Sequence, residues 1–464
     1  MGRLIVVSNR VQPPGDAGGG AVGGLAMALA AALREHSGVW FGWSGQTVDE
    51  YTGQLSVQRI GGVTVATVDL EEQDRLEYYN GYANRTLWPL FHYRVDLSAY
   101  ERSFSEGYAR VNARFADALT PLVGPDDFIW VHDYHLIPLA RELRARGLKN
   151  RIGFFLHIPW PARRLLITLP DHRELVAAMF DYDLLGFQTE DSAGAFRDYV
   201  RTEADGSVDE DGVAHAYGRS AKIGAFPIGL DVDNFVAAAT GPVAEGEYER
   251  MRASVNGRDM IIGVDRLDYS KGLEERFLAY EQVLHDHEDL REKVFLLQIA
   301  TPSREEVDAY QEIRARLDAV SGRINGAFAT VDWVPIRYVN RTYRRDELAG
   351  VYRAARLGLV TPLRDGMNLV AKEYVAAQDP ENPGVLVLSQ FAGASEQMAE
   401  ALIVNPFDRA EVAEAIVQGL SMEKGERIDR WNALMETLRR TDVIAWRDSY
   451  VSALMGSPPY DAEA

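Results

Sequence analysis

Short apolar runs alternate with amphipathic stretches along the whole chain, in two successive blocks. In the first block the runs predict strands over Leu4–Ser8, Val39–Trp43, Val63–Val68, Phe128–His132, Gly153–His157 and Leu184–Phe187. In the second they predict strands over Met260–Asp265, Val294–Ala300, Gly358–Thr361, Val385–Leu388 and Leu402–Val404. Several runs carry no polar interruption, which is the pattern of strands buried on both faces of a parallel sheet. Helical stretches lie between them, among them Leu25–Glu35, Ala109–Leu122 and Arg304–Leu317. Strand–helix alternation in two blocks predicts an α/β chain of two Rossmann-like doubly wound domains facing across a cleft. Ligands in such sheets sit beyond the carboxyl ends of the strands.

Pro227 and Gly229 punctuate the segment Phe226–Asp233 and place the boundary there. The expected domains are therefore 1–225 and 230–440, followed by a terminal segment, 441–464. Its helical part, Thr441–Leu454, follows the final strand and is expected to pack back on the first domain. The chain's 464 residues suit two such domains. A net charge of −20 argues against non-specific nucleic-acid binding, although a local pocket can still be basic. The absence of cysteine excludes disulfides and thiolate chemistry. The longest apolar run, Leu25–Leu33, is far too short to span a membrane, and MGRLIVVSNR lacks a signal-peptide core. A cytoplasmic protein without membrane partners is expected.

Chemistry concentrates just after strands. The run Ser8-Asn9-Arg10 is followed by a glycine-rich loop, with Gly23 and Gly24 leading into the helix from Leu25. Free amides and a helix N-terminus attract anions there, although the spacing fits neither GxGxxG nor a P-loop. Arg266 and Lys271 follow the first strand of the second block and could hold a diphosphate. Thr361–Glu373 reads as strand, Asp365-Gly366 turn, then helix. Its amides suit sugar hydroxyls or phosphate, and Glu373 could accept from a ribose diol. His132-Asp133-Tyr134-His135 and His157-Ile158-Pro159 end two strands without zinc-site spacing, so no metal is expected. Tyr78, Tyr79, Trp88 and His92 form an aromatic stretch that suits a sugar ring. Each segment alone also admits a plainer reading: a surface loop, paired surface cations, a helix cap, a structural histidine or an aromatic core.

Together the segments resemble the trehalose-6-phosphate synthase family, retaining glycosyltransferases (family 20) of GT-B fold. The matching motifs are VVSNR at 6–10, GGL at 23–25, WFGWSG at 40–45, YYN at 78–80, LWP at 87–89, FHYR at 91–94, WVHDYHL at 130–136, FFLHIPWP at 154–161 and LLGFQTE at 184–190. They continue with DRLDYSKG at 265–272, TPSR at 301–304, TPLRDGMNLVAKEYVAAQ at 361–378 and LSQFAGA at 388–394. The resemblance implies glucose transfer from a nucleotide-glucose, UDP-glucose being favoured, to glucose 6-phosphate, without a cofactor. It implies acceptor roles for Arg10, Tyr79, Trp88, Asp133 and Arg304. Donor roles fall to Gly23, Gly24, Arg266, Lys271, Tyr343, Asp365 and the segment Gly366, Met367, Asn368, Leu369, Val370, Ala371, Lys372 and Glu373. Arg266, Lys271, Asp133, His157 and Asp365 are the implied catalytic set.

No carboxylate nucleophile is evident, so the implied route to retention is a front-face one. Competing readings are a pseudo-glycosyltransferase joining cyclitols, a sugar phosphorylase and a non-catalytic sugar-phosphate sensor. The nucleobase and self-association, as dimer or tetramer, stay open at this level. Ala162-Arg163-Arg164, Trp160 and Tyr343 depart from the family pattern and are expected near the cleft.

Overall fold

The computed structural model of the chain describes residues 2–11, 33, 38–60, 62–303 and 307–456. These fall into two compact units. The first extends to Ile228 and resumes at Ile444, and the second spans Gly229–Val443.

The strands of the first unit are β1 (Leu4–Arg10), β2 (Val39–Val48), β3 (Ser56–Ile60), β4 (Val63–Glu71), β5 (Phe128–His132), β6 (Ile152–Phe155), β7 (Leu184–Phe187), β8 (Ser207–Val208), β9 (Val213–Ala216) and β10 (Arg219–Ala225). They form one sheet in the order β3-β4-β2-β1-β5-β6-β7-β10-β9-β8. From β4 to β10 every neighbouring pair is parallel. The antiparallel β3 and the β9–β8 hairpin flank this core. Leu4 to Val7 and Phe154 are fully buried, as two-sided coverage of a parallel sheet requires.

The second unit carries β11 (Asp259–Arg266), β12 (Val294–Thr301), β13 (Ile336–Val339), β14 (Leu357–Val360), β15 (Val385–Ser389) and β16 (Leu402–Val404). All are parallel, in the order β13-β12-β11-β14-β15-β16. Counted from β11 this is the 3-2-1-4-5-6 order of a Rossmann sheet. Helix Leu273–Asp286 buries Phe277, Tyr280 and Leu284 in a core shared with Leu296, Leu357 and Val387. Each such side chain contributes about 1.5–3 kcal/mol on burial.

Helix Val443–Gly456 closes the first unit. The Tyr450 hydroxyl donates to the Phe154 carbonyl (2.9 Å), and its ring stacks on Trp130 with centroids 4.5 Å apart.

In both sheets the sequence order reverses next to the first strand, between β1 and β5 and between β11 and β14. Such switch points open a crevice at the carboxyl ends of the strands.

Several elements lie outside the sequence expectations. β3, β8, β9 and β13 are short and lack an apolar run; β3 (SVQRI) is almost wholly exposed. The helix expected from Arg304 to Leu317 runs over Asp308–Phe328, and that expected from Ala109 starts at Arg102. The expected helix Leu25–Glu35 lies outside the described residues apart from Leu33, which is helical and buried. No helix among the described residues is long and apolar enough to cross a membrane.

Candidate active site

In the first unit the switch point gathers the ends of β1 and β5. Arg10 ends β1 and is exposed, its guanidinium 5.6 Å from the Trp43 ring centroid. Gly45 is what lets it lie there: its φ is +89°, and a Cβ would sit 2.3 Å from Arg10 Nη2. Asn9 faces inward and accepts from the Tyr78 hydroxyl (2.8 Å).

Tyr78 and Tyr79 lie on a π-helix, Arg75–Leu87, whose i→i−5 pattern continues in the Trp88 N–H donating to the Ala83 carbonyl. This wide helix is rare and is often found at functional sites. Tyr79 meets Trp43 edge-on (5.8 Å) and stacks on His135 (5.9 Å). Arg10, Trp43, Tyr79 and His135 thus form one continuous cationic and aromatic ledge. Trp88 is buried, packed against His92 (4.1 Å) and Tyr134 (5.7 Å), so it can shape a pocket wall but offers little open face.

Asp133 follows β5 with φ +77°, a strained conformation for a non-glycine residue. Its N–H donates to the Phe155 carbonyl (2.8 Å), and its Oδ1 accepts the His157 N–H (3.2 Å). The His157 ring is engaged on both sides, with Nε2 3.0 Å from His132 Nδ1 and Nδ1 3.4 Å from Gln188 Nε2. Burial pushes His157 down to about 3 and His132 well below the usual histidine range, so both rings are neutral.

In the second unit Arg266 ends β11 with an exposed side chain. Asp268 caps the turn that follows, accepting from the Ser270 N–H (2.9 Å) and hydroxyl (2.8 Å) and from the Tyr310 hydroxyl (3.0 Å). That turn delivers Lys271, whose Nζ lies 2.5 Å from Asp365 Oδ2. Gly272, at φ +64°, brings the turn against the Thr361 carbonyl, which a Cβ would approach to 2.5 Å.

Asp365 is held by further bonds. Its N–H donates to the Phe391 carbonyl (3.0 Å), its carbonyl accepts the Gly393 N–H (3.2 Å), and its carboxylate accepts from Asn368 Nδ2 (3.1 Å). Gly366 and Met367 are buried, and the Met367 carbonyl accepts the Ala394 N–H (2.8 Å). Asn368, at φ +81°, caps helix Leu369–Ala377 by accepting the Ala371 N–H (3.3 Å). The first-turn amides of Leu369 and Val370 have no partner within their helix, by helix geometry. Lys372 points elsewhere. It is fully buried, its Nζ donates to Gln397 Oε1 (2.8 Å), and burial pushes it down to about 7. Glu373 faces Arg345 (3.4 Å), and burial raises its carboxyl while Arg345 opposes the rise. Tyr343 is half-buried, 5.3 Å beneath the Arg341 guanidinium.

Beneath this constellation lies Arg276, fully buried and missed by sequence reasoning. Its Nη1 meets Asp265 Oδ2 (2.5 Å) and Gln298 Oε1 (2.7 Å), Nε donates to Thr361 Oγ1 (3.1 Å), and Nη2 donates to the Lys271 carbonyl (3.4 Å). One guanidinium therefore ties β11, β12 and the segment after β14 to the turn bearing Lys271. A signal existed. Arg276 falls between Leu273, Phe277 and Tyr280 on the buried stripe of its helix, where a surface charge has no place.

Gly23, Gly24 and Arg304 lie outside the described residues. Two of the departures from the family pattern have partners within the first unit. Trp160 is fully buried among Phe91, Phe187 and Phe196, where a larger ring fills core volume. Arg163 pairs with Glu203 (2.7 Å) and Asp198 (3.4 Å) of helix Glu190–Glu203, and Arg164 is exposed.

Residues 18–455 match the family model described as Glycosyltransferase family 20. The trehalose-6-phosphate synthase of Klebsiella pneumoniae is 48% identical over all of this chain and 97% of its own length. Among solved structures, the UDP-forming α,α-trehalose-phosphate synthase from Burkholderia xenovorans, in complex with glucose-6-phosphate, is 52% identical. It superposes with a TM-score of 0.94 over 98% of this chain and 100% of that one. An E. coli structure described as trehalose-6-phosphate bound with UDP-2-fluoro glucose is 46% identical, with a TM-score of 0.95 over 99% of this chain and 100% of that one. With two Rossmann-like units in the GT-B fold class and a match along nearly its whole length, the chain belongs to glycosyltransferase family 20.

Proposed function

We propose that this chain transfers glucose from UDP-glucose to glucose 6-phosphate with retention, giving trehalose 6-phosphate and UDP. The observation that carries the reading is the constellation at the β11–β14 switch point, where Arg266, Lys271 and Asp365 stand beside the capped helix Leu369–Ala377. Cations next to a helix N-terminus suit a diphosphate, and a fixed carboxylate beside them suits the hydroxyls of the attached sugar. The relatives support the same assignment, one crystallised with glucose-6-phosphate and one with a fluorinated UDP-glucose.

On this reading the second unit takes the donor. Arg266 and Lys271 bind the diphosphate, Asp365 holds the glucose, and Tyr343 with the segment Gly366 to Glu373, apart from the inward-turned Lys372 side chain, binds the nucleoside and phosphates; His157, of the first unit, is assigned to the glucose as well. Gly23 and Gly24 serve the diphosphate as well. The first unit takes the acceptor, with Arg10, Tyr79 and Arg304 on its phosphate, Asp133 on its hydroxyls and Trp88 shaping the pocket.

The bond from glucose C1 to the β-phosphate oxygen breaks, and a bond forms from C1 to the anomeric oxygen of glucose 6-phosphate on the same face. The acceptor hydroxyl's proton passes to the leaving phosphate oxygen. Arg266 and Lys271 stabilise the charge that grows on the diphosphate, a gain felt in the transition state and hence in kcat. Arg266→Ala should lower kcat ~10²-fold or more, the scale of losing one charge-stabilising donor. An unchanged kcat in a folded variant sinks that role.

The donor is tested by incubating glucose 6-phosphate with UDP-, GDP- and ADP-glucose and weighing the products. A disaccharide phosphate with UDP-glucose is expected. Binding without product for all three donors would instead favour a sensor.

A further inference from the structure

Gln188 follows β7 and is buried. Its Oε1 accepts the Ile228 N–H at 2.9 Å, which fixes the amide orientation because only the oxygen can accept there. Its Nε2, a donor only, therefore faces His157 Nδ1 (3.4 Å). A ring nitrogen that accepts carries no proton, so the neutral His157 must carry its proton on Nε2. That proton is directed at His132 Nδ1, 3.0 Å away, which in turn must be the unprotonated nitrogen of its ring. The proton of His132 is thereby placed on Nε2, which is buried beside Trp130 (ring centroids 4.6 Å) and has no hydrogen-bond partner among the described residues. A single amide thus dictates two tautomers in series.

We propose that Gln188 is a positioning residue that fixes the tautomer and ring orientation of His157, and through it of His132. The inference rests on the proposed function in taking His157 and Asp133 as substrate-facing groups. Asp133 belongs to the same assembly, since its Oδ1 holds the His157 main-chain N–H. Among the described residues, the groups packed on the His157 ring include His132 from the end of β5, Gln188 from the end of β7, Phe155 from β6 and Trp446 from the C-terminal helix, and Asp133 meets its main-chain N–H. Burial lowers both histidines, so neither ring carries a charge.

The direct test is a long-range 1H–15N spectrum of the full chain carrying 15N-labelled histidine, with His157 and His132 assigned by substitution. Each ring should show a protonated Nε2 and an unprotonated Nδ1. A protonated Nδ1 on His157 overturns the proposal whatever the enzyme does.

The kinetic test is Gln188→Glu. Its ionised carboxylate can only accept, so beside a neutral His157 it draws the ring proton to Nδ1 and leaves Nε2 none to give His132. The expected kcat/KM for the sugar nucleotide is roughly tenfold below wild type, the scale of one lost hydrogen bond. Gln188→Met, which keeps the volume and adds no charge, should lower kcat/KM less, because it releases the tautomer without reversing it. In the same spectrum, Gln188→Glu should show His157 protonated on Nδ1. An unchanged Nε2-protonated His157 in Gln188→Glu would overturn the proposal. His157→Ala with unchanged kcat/KM would instead remove His157 from the site, while the spectrum still decides the tautomer.

Discussion

The ammonium of Lys271 lies 2.5 Å from Oδ2 of Asp365, joining the segment after β11 to the segment after β14 across the switch point of the sheet. The pair sets the distance between the group proposed for the diphosphate and the group proposed for the sugar. It also keeps each charge compensated in a largely buried place, where an unpaired charge is costly.

Kinetics of Lys271→Ala, Asp365→Ala and the double variant should therefore be non-additive. Each single change should lower kcat by ~10²-fold or more. The coupling energy should be about 1–3 kcal/mol, the range for groups in direct contact. Additive losses would mean that the two residues act separately.

Arg276 is expected to be the most costly single truncation in the second unit. Arg276→Met leaves Asp265 buried without its cation, and loss of one partner of a buried pair costs about 3–5 kcal/mol. Asp265 is already raised by burial despite Arg276, so the variant also drives this carboxyl further towards its neutral form. Urea unfolding of Arg276→Met, and of Arg276→Met combined with Asp265→Leu, checks this. The double change should recover part of the stability, because it removes the orphaned carboxyl.

Lys372 gives a pH signature. Its folded value is lowered to about 7 from the ordinary 10.5, so between these limits the unfolded chain binds the proton and the folded chain does not. Stability therefore rises with pH over that window, by up to ~1.4 kcal/mol per pH unit, and the full penalty is present below it. Lys372→Met should abolish this slope and gain relative to wild type as pH falls towards 7. Unfolding midpoints measured in urea at pH 6.5 and pH 9 decide it. Equal pH slopes for both proteins would show that Lys372 stays charged in the folded state.

Gly45 should control acceptor affinity at one remove. Gly45→Ala meets both a positive φ and the Arg10 guanidinium, so it should displace Arg10 and raise KM for glucose 6-phosphate. Arg10→Ala should raise it similarly, and the double variant little further. Normal KM in Gly45→Ala would separate Arg10 from the acceptor phosphate.

Much of this was legible because parallel strands announce themselves. Leu4–Val7, Phe128–Val131 and Met260–Ile262 are apolar without interruption, and the residues beyond them, Arg10, Asp133 and Arg266, stand out against that background. Exposed edge strands such as β3 are invisible to the same logic, because nothing in SVQRI needs burial. The supporting shell was harder to see. Arg276 follows Glu274 and Glu275 and looks like part of a charged face until its helical phase is worked out. Gln188 is one neutral polar residue after an apolar run, and its importance lies in which atom faces Ile228, a matter of three-dimensional orientation. Trp160 packs in the core among Phe91, Phe187 and Phe196, which the motif around it does not reveal. The pairing of Lys271 with Asp365 depends on the strand order, which no local pattern encodes.

The most direct measurement is the 1H NMR spectrum of the product formed from UDP-glucose and glucose 6-phosphate, followed from the first turnovers. The account predicts two α-anomeric signals from a 1,1-linked disaccharide phosphate, appearing in step with UDP. A β-linked product, or UDP released with free glucose and no disaccharide, would contradict it.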